Sequence, residues 1–103
     1  MFGQLKEAQE KMEAAKKRLD EIFVSGDAGS GAVKVNVSAS KKIKSIHLSD
    51  EIIGDKEQIE DLVTIAINRA LENAEKVAEA EMQTIAREMM PSMGGLSNLF
   101  GKK

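Results

Sequence analysis

The stretch Val24 to Ser38, VSGDAGSGAVKVNVS, decides the fold of this 103-residue chain. Gly26, Gly29 and Gly31 stand where a reversal is wanted, because glycine alone enters positive φ without a Cβ penalty, and strict alternation follows them. Val33, Val35 and Val37 therefore point to one face of a strand, and Lys34, Asn36 and Ser38 to the other. Ile22 to Val24 reads as the first strand of a hairpin, Gly26 to Ala32 as its turn, and Ile43 to Leu48 as a third strand. Ile46 and Leu48 join the valine face. Ile43 is out of register with them, which calls for a bulge at the strand start. The glycine run is not a phosphate-binding loop: GDAGSG lacks the lysine of GxxxxGK[ST] and leads into a strand where that motif requires a helix.

Outward from the hairpin, both flanks read as helix. Before it, Met1, Leu5, Ala8, Met12, Ala15, Leu19 and Ile22 recur at alternating spacings of four and three, the pattern of a coiled-coil seam. Its two possible partners are the chain's own sheet and another helix, and the chain offers one other long helix. After the third strand, Asp50, Glu51 and Gly54 form a turn, and Asp55 with Gln58 three residues on makes the capping-box start of a helix. That helix should run from Lys56 to about Met89, with no proline before Pro91. Its first half is apolar nearly all round (Ile59, Leu62, Val63, Ile65, Ala66, Ile67, Ala70, Leu71), wide enough to cover the sheet and a second surface. Its second half narrows to Ala74, Val77, Ala78, Met82, Ile85 and Met89. Asn68 and Arg69, within the apolar half, are expected to bond nearby backbone. Together these elements predict an α+β fold, α-β-β-β-α, with a three-stranded antiparallel sheet flanked by two long helices that cover the valine face. Residues 1–90 form one domain, and 91–103, rich in glycine, read as a flexible tail whose Leu96, Leu99 and Phe100 could dock transiently on a helix groove.

Composition narrows the function. Cysteine is absent, so disulfides and thiolate metal ligation are excluded, and no apolar run is long enough to span a bilayer. Such a chain is expected to be soluble and cytoplasmic. Fifteen basic against seventeen acidic residues leave a net charge of −2, unlike a simple polyanion binder. Phe2, Phe23 and Phe100 are the only aromatics, too few for a base-stacking platform. His47 is the single histidine and should face solvent from its strand. Nothing pairs a nucleophile with a base or gathers metal ligands, so the chain reads as a non-enzyme without cofactor, metal or small-molecule substrate. Basic residues nonetheless cluster locally. Lys16, Lys17 and Arg18 lie near the end of the first helix, where cations also suit the helix dipole. Lys34, Lys41, Lys42 and Lys44 make the second hairpin the most basic part of the molecule, although edge lysines also blunt aggregation. Acid gathers instead in the second helix.

The helix containing KEAQEKM (Lys6 to Met12), VSGDAGSGAVKV (Val24 to Val35), IHL (Ile46 to Leu48), EDLVTIAIN (Glu60 to Asn68), the pair Glu81 and Met82 and the Gly/Met/Leu tail together resemble the YbaB/EbfC family of small bacterial nucleoid-associated proteins. Order and spacing carry the resemblance, no single piece doing so alone. Two departures stand out: Ser49 and Asp50 where family members commonly have Asp-Pro, and a start, MFGQL, shorter than the usual glycine- and methionine-rich one. The resemblance implies the α-β-β-β-α fold, a tweezers-like homodimer with projecting helices, and binding of double-stranded DNA in the nucleoid. It supplies no short DNA-reading motif. The candidate phosphate contacts are therefore the basic residues already named, Lys16, Lys17, Arg18, Lys34, Lys41, Lys42 and Lys44. The expected contact between copies draws on Val35 and Val37 of the sheet and Leu62, Ile65, Ala66 and Arg69 of the long helix. The acidic second helix and the methionine-rich end leave a different class open, a dimeric module whose helical arms bind other proteins.

Overall fold

The computed structural model describes residues 2–89, in the order α1 (Phe2–Glu21), β1 (Phe23–Ala28), β2 (Val33–Ser38), β3 (Ile43–Leu48), a short 3-10 turn (Asp50–Ile52) and α2 (Lys56–Met89). The tail at 91–103 and Met1 of the seam lie outside the described residues. The three strands form one antiparallel sheet in sequence order, β1-β2-β3. The sequence-predicted architecture is the observed one.

The reversal between β1 and β2 is tighter than expected and confined to Gly29–Ala32. The amide of Ala32 donates to the carbonyl of Gly29 at 3.1 Å, and the two central residues, Ser30 and Gly31, have φ of 55° and 89°. Positive φ at both is the signature of the primed hairpin turn, whose twist matches that of the strands it joins. Gly26 belongs to no turn. It lies buried in the middle of β1, directly under α2, where an added Cβ would stand 2.3 Å from the amide nitrogen of Ala70 and 2.5 Å from the carbonyl oxygen of Ala66. Glycine is required there because helix and strand meet backbone to backbone, a demand set by tertiary packing and invisible in the local pattern.

Val33, Val35 and Val37 are wholly buried, each with 0% exposure, under Ala66, Ala70 and Ala74 of α2. Each valine contributes about 1.5–3 kcal/mol by leaving water. One helix does most of this covering: α2 packs on β1 and β2, whereas α1 packs chiefly on the distal half of α2 and, of the sheet, mainly against β2. The seam of α1 is thus an intrachain helix pair. Ala15 and Leu19 are buried, as is Ile85 of α2, while Ala8, Met12 and Ile22 are half-buried and Leu5 stays exposed. Asp55 caps α2 as expected, its carboxylate accepting from the amide of Gln58 at 3.2 Å.

Most of the residues expected between copies are engaged within the single chain. Val35, Val37 and Ala66 are enclosed within the single chain and offer no surface to another. Leu62 lies over Gly29, and Arg69 donates to the backbone carbonyl of Asp27 at 2.9 Å, so both serve the β1 side of their own chain. Of the helix residues expected between copies, only Ile65 keeps a large exposed apolar side chain.

The bulge falls where Ile43 required it: the register shifts between Asn36 and Val37, and Val37 pairs with Ile43 while Val35 pairs with Ile46. Ile43 and Ile46 thereby join the valine row, yet neither is fully covered. They are 50% and 45% exposed, and of all β3 only Leu48 is half-buried.

Candidate nucleic-acid interface

The basic residues singled out in the sequence come together in part. Lys16 from α1 and Lys41 and Lys42 from the β2–β3 turn line one open groove of about 400 Å³, with Leu19, Asp20, Ala39, Ser40 and Ala78 forming its other walls. Three separate elements meet here because α1 ends beside the turn and α2 passes behind both. Lys17 and Arg18 follow Lys16 on the same exposed helical turn. Lys34 and Lys44 lie elsewhere. Lys34 pairs across the sheet with His47, and the Lys44 ammonium stands 4.1 Å from the centroid of the Phe23 ring, a cation–π contact on the sheet face away from α2.

The turn is built around its side chains. Lys41 has a φ of 71°, the left-handed region that costs a residue with a Cβ about 1–2 kcal/mol. Its ammonium reaches Glu75 of α2 at 2.7 Å. Ser38 and Ser40 share a hydroxyl–hydroxyl hydrogen bond at 2.6 Å, the Ser38 oxygen also accepts from the amide of Lys42 at 3.1 Å, and the Ser40 hydroxyl donates to Asp20. Lys42 completes the set with an ammonium 3.6 Å from the Asp20 carboxylate. The Ser40 hydrogen bond, and after it the positive charge of Lys42, hold the Asp20 carboxyl below the usual carboxylate range despite an opposing desolvation effect. A third pair, Arg18 with Glu81 at 3.1 Å, ties α1 to α2. Three of the candidate cations thus already face carboxylates, a pairing that depends on which helix lies behind the turn and has no signature in the sequence.

On the opposite flank α2 serves the sheet itself. Arg69 and Asn73 donate to the outward-facing carbonyls of Asp27 and Ser25, at 2.9 and 2.8 Å, and so cap the free edge of β1. The expectation that Arg69 bonds backbone is met. Asn73, one helical turn on, is the companion the sequence reading missed. Asn68 instead lines a second groove with Lys41, Leu71, Glu72 and Glu75. Among the described residues no group of three or more histidine, aspartate or glutamate side chains is placed to hold a metal, and no helix is long and apolar enough to cross a membrane.

Comparison with known proteins gives this geometry a context. The model of the YbaB/EbfC DNA-binding family matches residues 1–90. A nucleoid-associated protein of Flavobacterium johnsoniae is 43% identical over 100 residues, covering 97% of this chain and 94% of that protein. A nucleoid-associated protein of Chlorobium phaeobacteroides is 41% identical over 98 residues, covering 95% of this chain and 88% of its own. The fold is also that of an uncharacterized protein from Helicobacter pylori, known from a crystal structure, with a TM-score of 0.66 over 85% of this chain and 90% of the other at 18% identity.

Proposed function

The chain belongs to the YbaB/EbfC DNA-binding family, and from that premise we propose that it binds double-stranded DNA in the bacterial nucleoid as a homodimer, touching phosphates through basic side chains. The observation that carries the contact is the groove where Lys16, Lys41 and Lys42 converge from two elements, with Lys17 and Arg18 on the adjoining turn of α1. Phosphate contacts of this kind orient a protein on the duplex without reading sequence. Residues 55–90 carry nine acidic and four basic side chains, most of them on α2, so the DNA runs past the end of α1 and the β2–β3 turn and keeps away from the outer side of α2. Lys34 and Lys44, on the other face of the sheet, make no part of this contact.

The homodimer is supported by the uncovered side of the sheet. Ile43 and Ile46 continue the valine row into solvent, and among the described residues no side chain donates to a backbone carbonyl of β3 as Arg69 and Asn73 do for β1. A second copy laid antiparallel against β3 would bury both isoleucines and satisfy the open backbone groups of each strand at once, an isologous contact. In this reading the interface residues are Ile43, Ile46 and the neighbouring flank of α2, in place of Val35, Val37 and Ala66.

Reversing Lys16, Lys41 and Lys42 to glutamate tests the contact. Fluorescence anisotropy with a labelled duplex should show weaker binding at each salt concentration. Unchanged affinity in a folded, dimeric triple variant would remove the groove from the account. A second reading, a dimeric module that grips proteins, draws on Leu5 and Met82, which stay exposed along the helical arm. Retention on a DNA column at physiological salt, against recovery of protein partners from nuclease-treated lysate, separates the two.

A further inference from the structure

We propose that Asp20 and Glu75 are built-in competitors of the DNA backbone: in the free protein they hold Lys42 and Lys41 at the groove, and a phosphate must displace them before either lysine can make its contact. This rests on the DNA-binding reading above and adds a cost to it that the count of lysines does not show.

The two pairs have the same construction. Each acid sits on a fixed element and each lysine on the turn. Asp20 lies in the last turn of α1 and is held by the Ser40 hydroxyl whether or not Lys42 stays, and Glu75 projects from the continuous helix α2. The lysines are the movable partners. All four side chains are about half exposed or more, with lysine–carboxylate distances of 3.6 and 2.7 Å, so the pairs open readily in water. Lys41 adds a second observation. At a φ of 71° glycine would serve the turn better, so what lysine brings to that position is the reach of its ammonium. Opening the pairs leaves the fold intact, because the Ser38, Ser40 and Asp20 hydrogen bonds continue to join the turn to α1.

Displacement has a thermodynamic signature. Each phosphate neutralised releases a counterion, and a carboxylate set free partly offsets that release by attracting cations of its own, so a displaced pair contributes less to the salt dependence than an unpaired lysine does. Removing the carboxylate restores that contribution.

The experiment compares the full chain with Asp20→Asn and Glu75→Gln, and with Glu57→Gln and Glu79→Gln, which remove the same charge from α2 positions that line neither groove. Each protein is titrated into a labelled random-sequence duplex across a salt series, with thermal melting as the check on folding. Asp20→Asn and Glu75→Gln should each tighten binding about two- to fivefold beyond the controls, and each should steepen the slope of log affinity against log salt, by at most about 0.9. Glu75→Gln, at an exposed helix position, keeps the test decisive if Asp20→Asn melts early. Equal gains in all four variants with unchanged slopes would mean a general field effect and overturn the competitor role alone. A wild-type protein and variants that all ignore the duplex would overturn the DNA reading with it.

Discussion

The two edges of the sheet began as the same kind of object and ended differently. β1 lies under α2 so closely that Gly26 meets helix backbone, and its outward carbonyls are taken by Arg69 and Asn73. β3 carries an apolar row in register with the core, yet that row is only partly covered and Ile46 remains 45% exposed. An edge strand must be covered, capped, charged or paired, since a row of free amides and carbonyls recruits another strand. One edge is finished by its own chain. The other is left open, and that asymmetry, more than overall hydrophobicity, is what the proposal of a second copy on the β3 side rests on.

The largest effect should come from spoiling the finished edge. Gly26→Ala places a methyl group against the backbone of Ala66 and Ala70, and the helix must lift from β1. We expect a loss of about 3 kcal/mol, read as a lowered urea midpoint by circular dichroism; a variant as stable as the parent would mean that helix and strand are not in backbone contact. Next is the open edge. Ile46→Lys should leave the helical content of each copy unchanged and cost the dimer about 2 kcal/mol for each isoleucine no longer buried, shifting sedimentation towards monomer. A wild-type chain that sediments as a monomer throughout the micromolar range would erase the distinction between the edges. The smallest effect tests the caps. Arg69→Met, retaining the aliphatic stem, should lose about 1 kcal/mol for an exposed hydrogen bond and leave the dimer intact. Dissociation caused by Arg69→Met would instead put the second copy on the β1 side.

Much of this was legible before any coordinates. Alternation from Val33 to Ser38 gave the faces of β2, the Asp55 and Gln58 spacing gave the start of α2, and the misplaced Ile43 gave the bulge. These are signals of period and local chemistry, carried by neighbours in sequence. What escaped depends on partners far along the chain. Gly26 read as a turn glycine because its real constraint is a helix far downstream. Val35, Val37 and Ala66 read as interface because apolar residues announce burial without naming what buries them. For the groove, the sequence named its lysines, but the carboxylates facing them emerge only when α1 and α2 are folded against the turn. The wide apolar half of α2 posed the same difficulty: its breadth was visible, but which flank belonged to β1 was not.

The contact at Gly26 also bears on mechanics. A helix seated on main chain has no intervening rotamers to rearrange, so it cannot roll or slide by small steps; either the carbonyl of Ala66 and the amide of Ala70 keep their places over β1 or the seat is lost. α2 then runs on to Met89 without proline or glycine to act as a joint. The far half therefore inherits its heading from the strand beneath the near half, and in the proposed dimer the spread between two such arms would be dictated by how the sheets are joined, much as the gap of a caliper is set at its rivet.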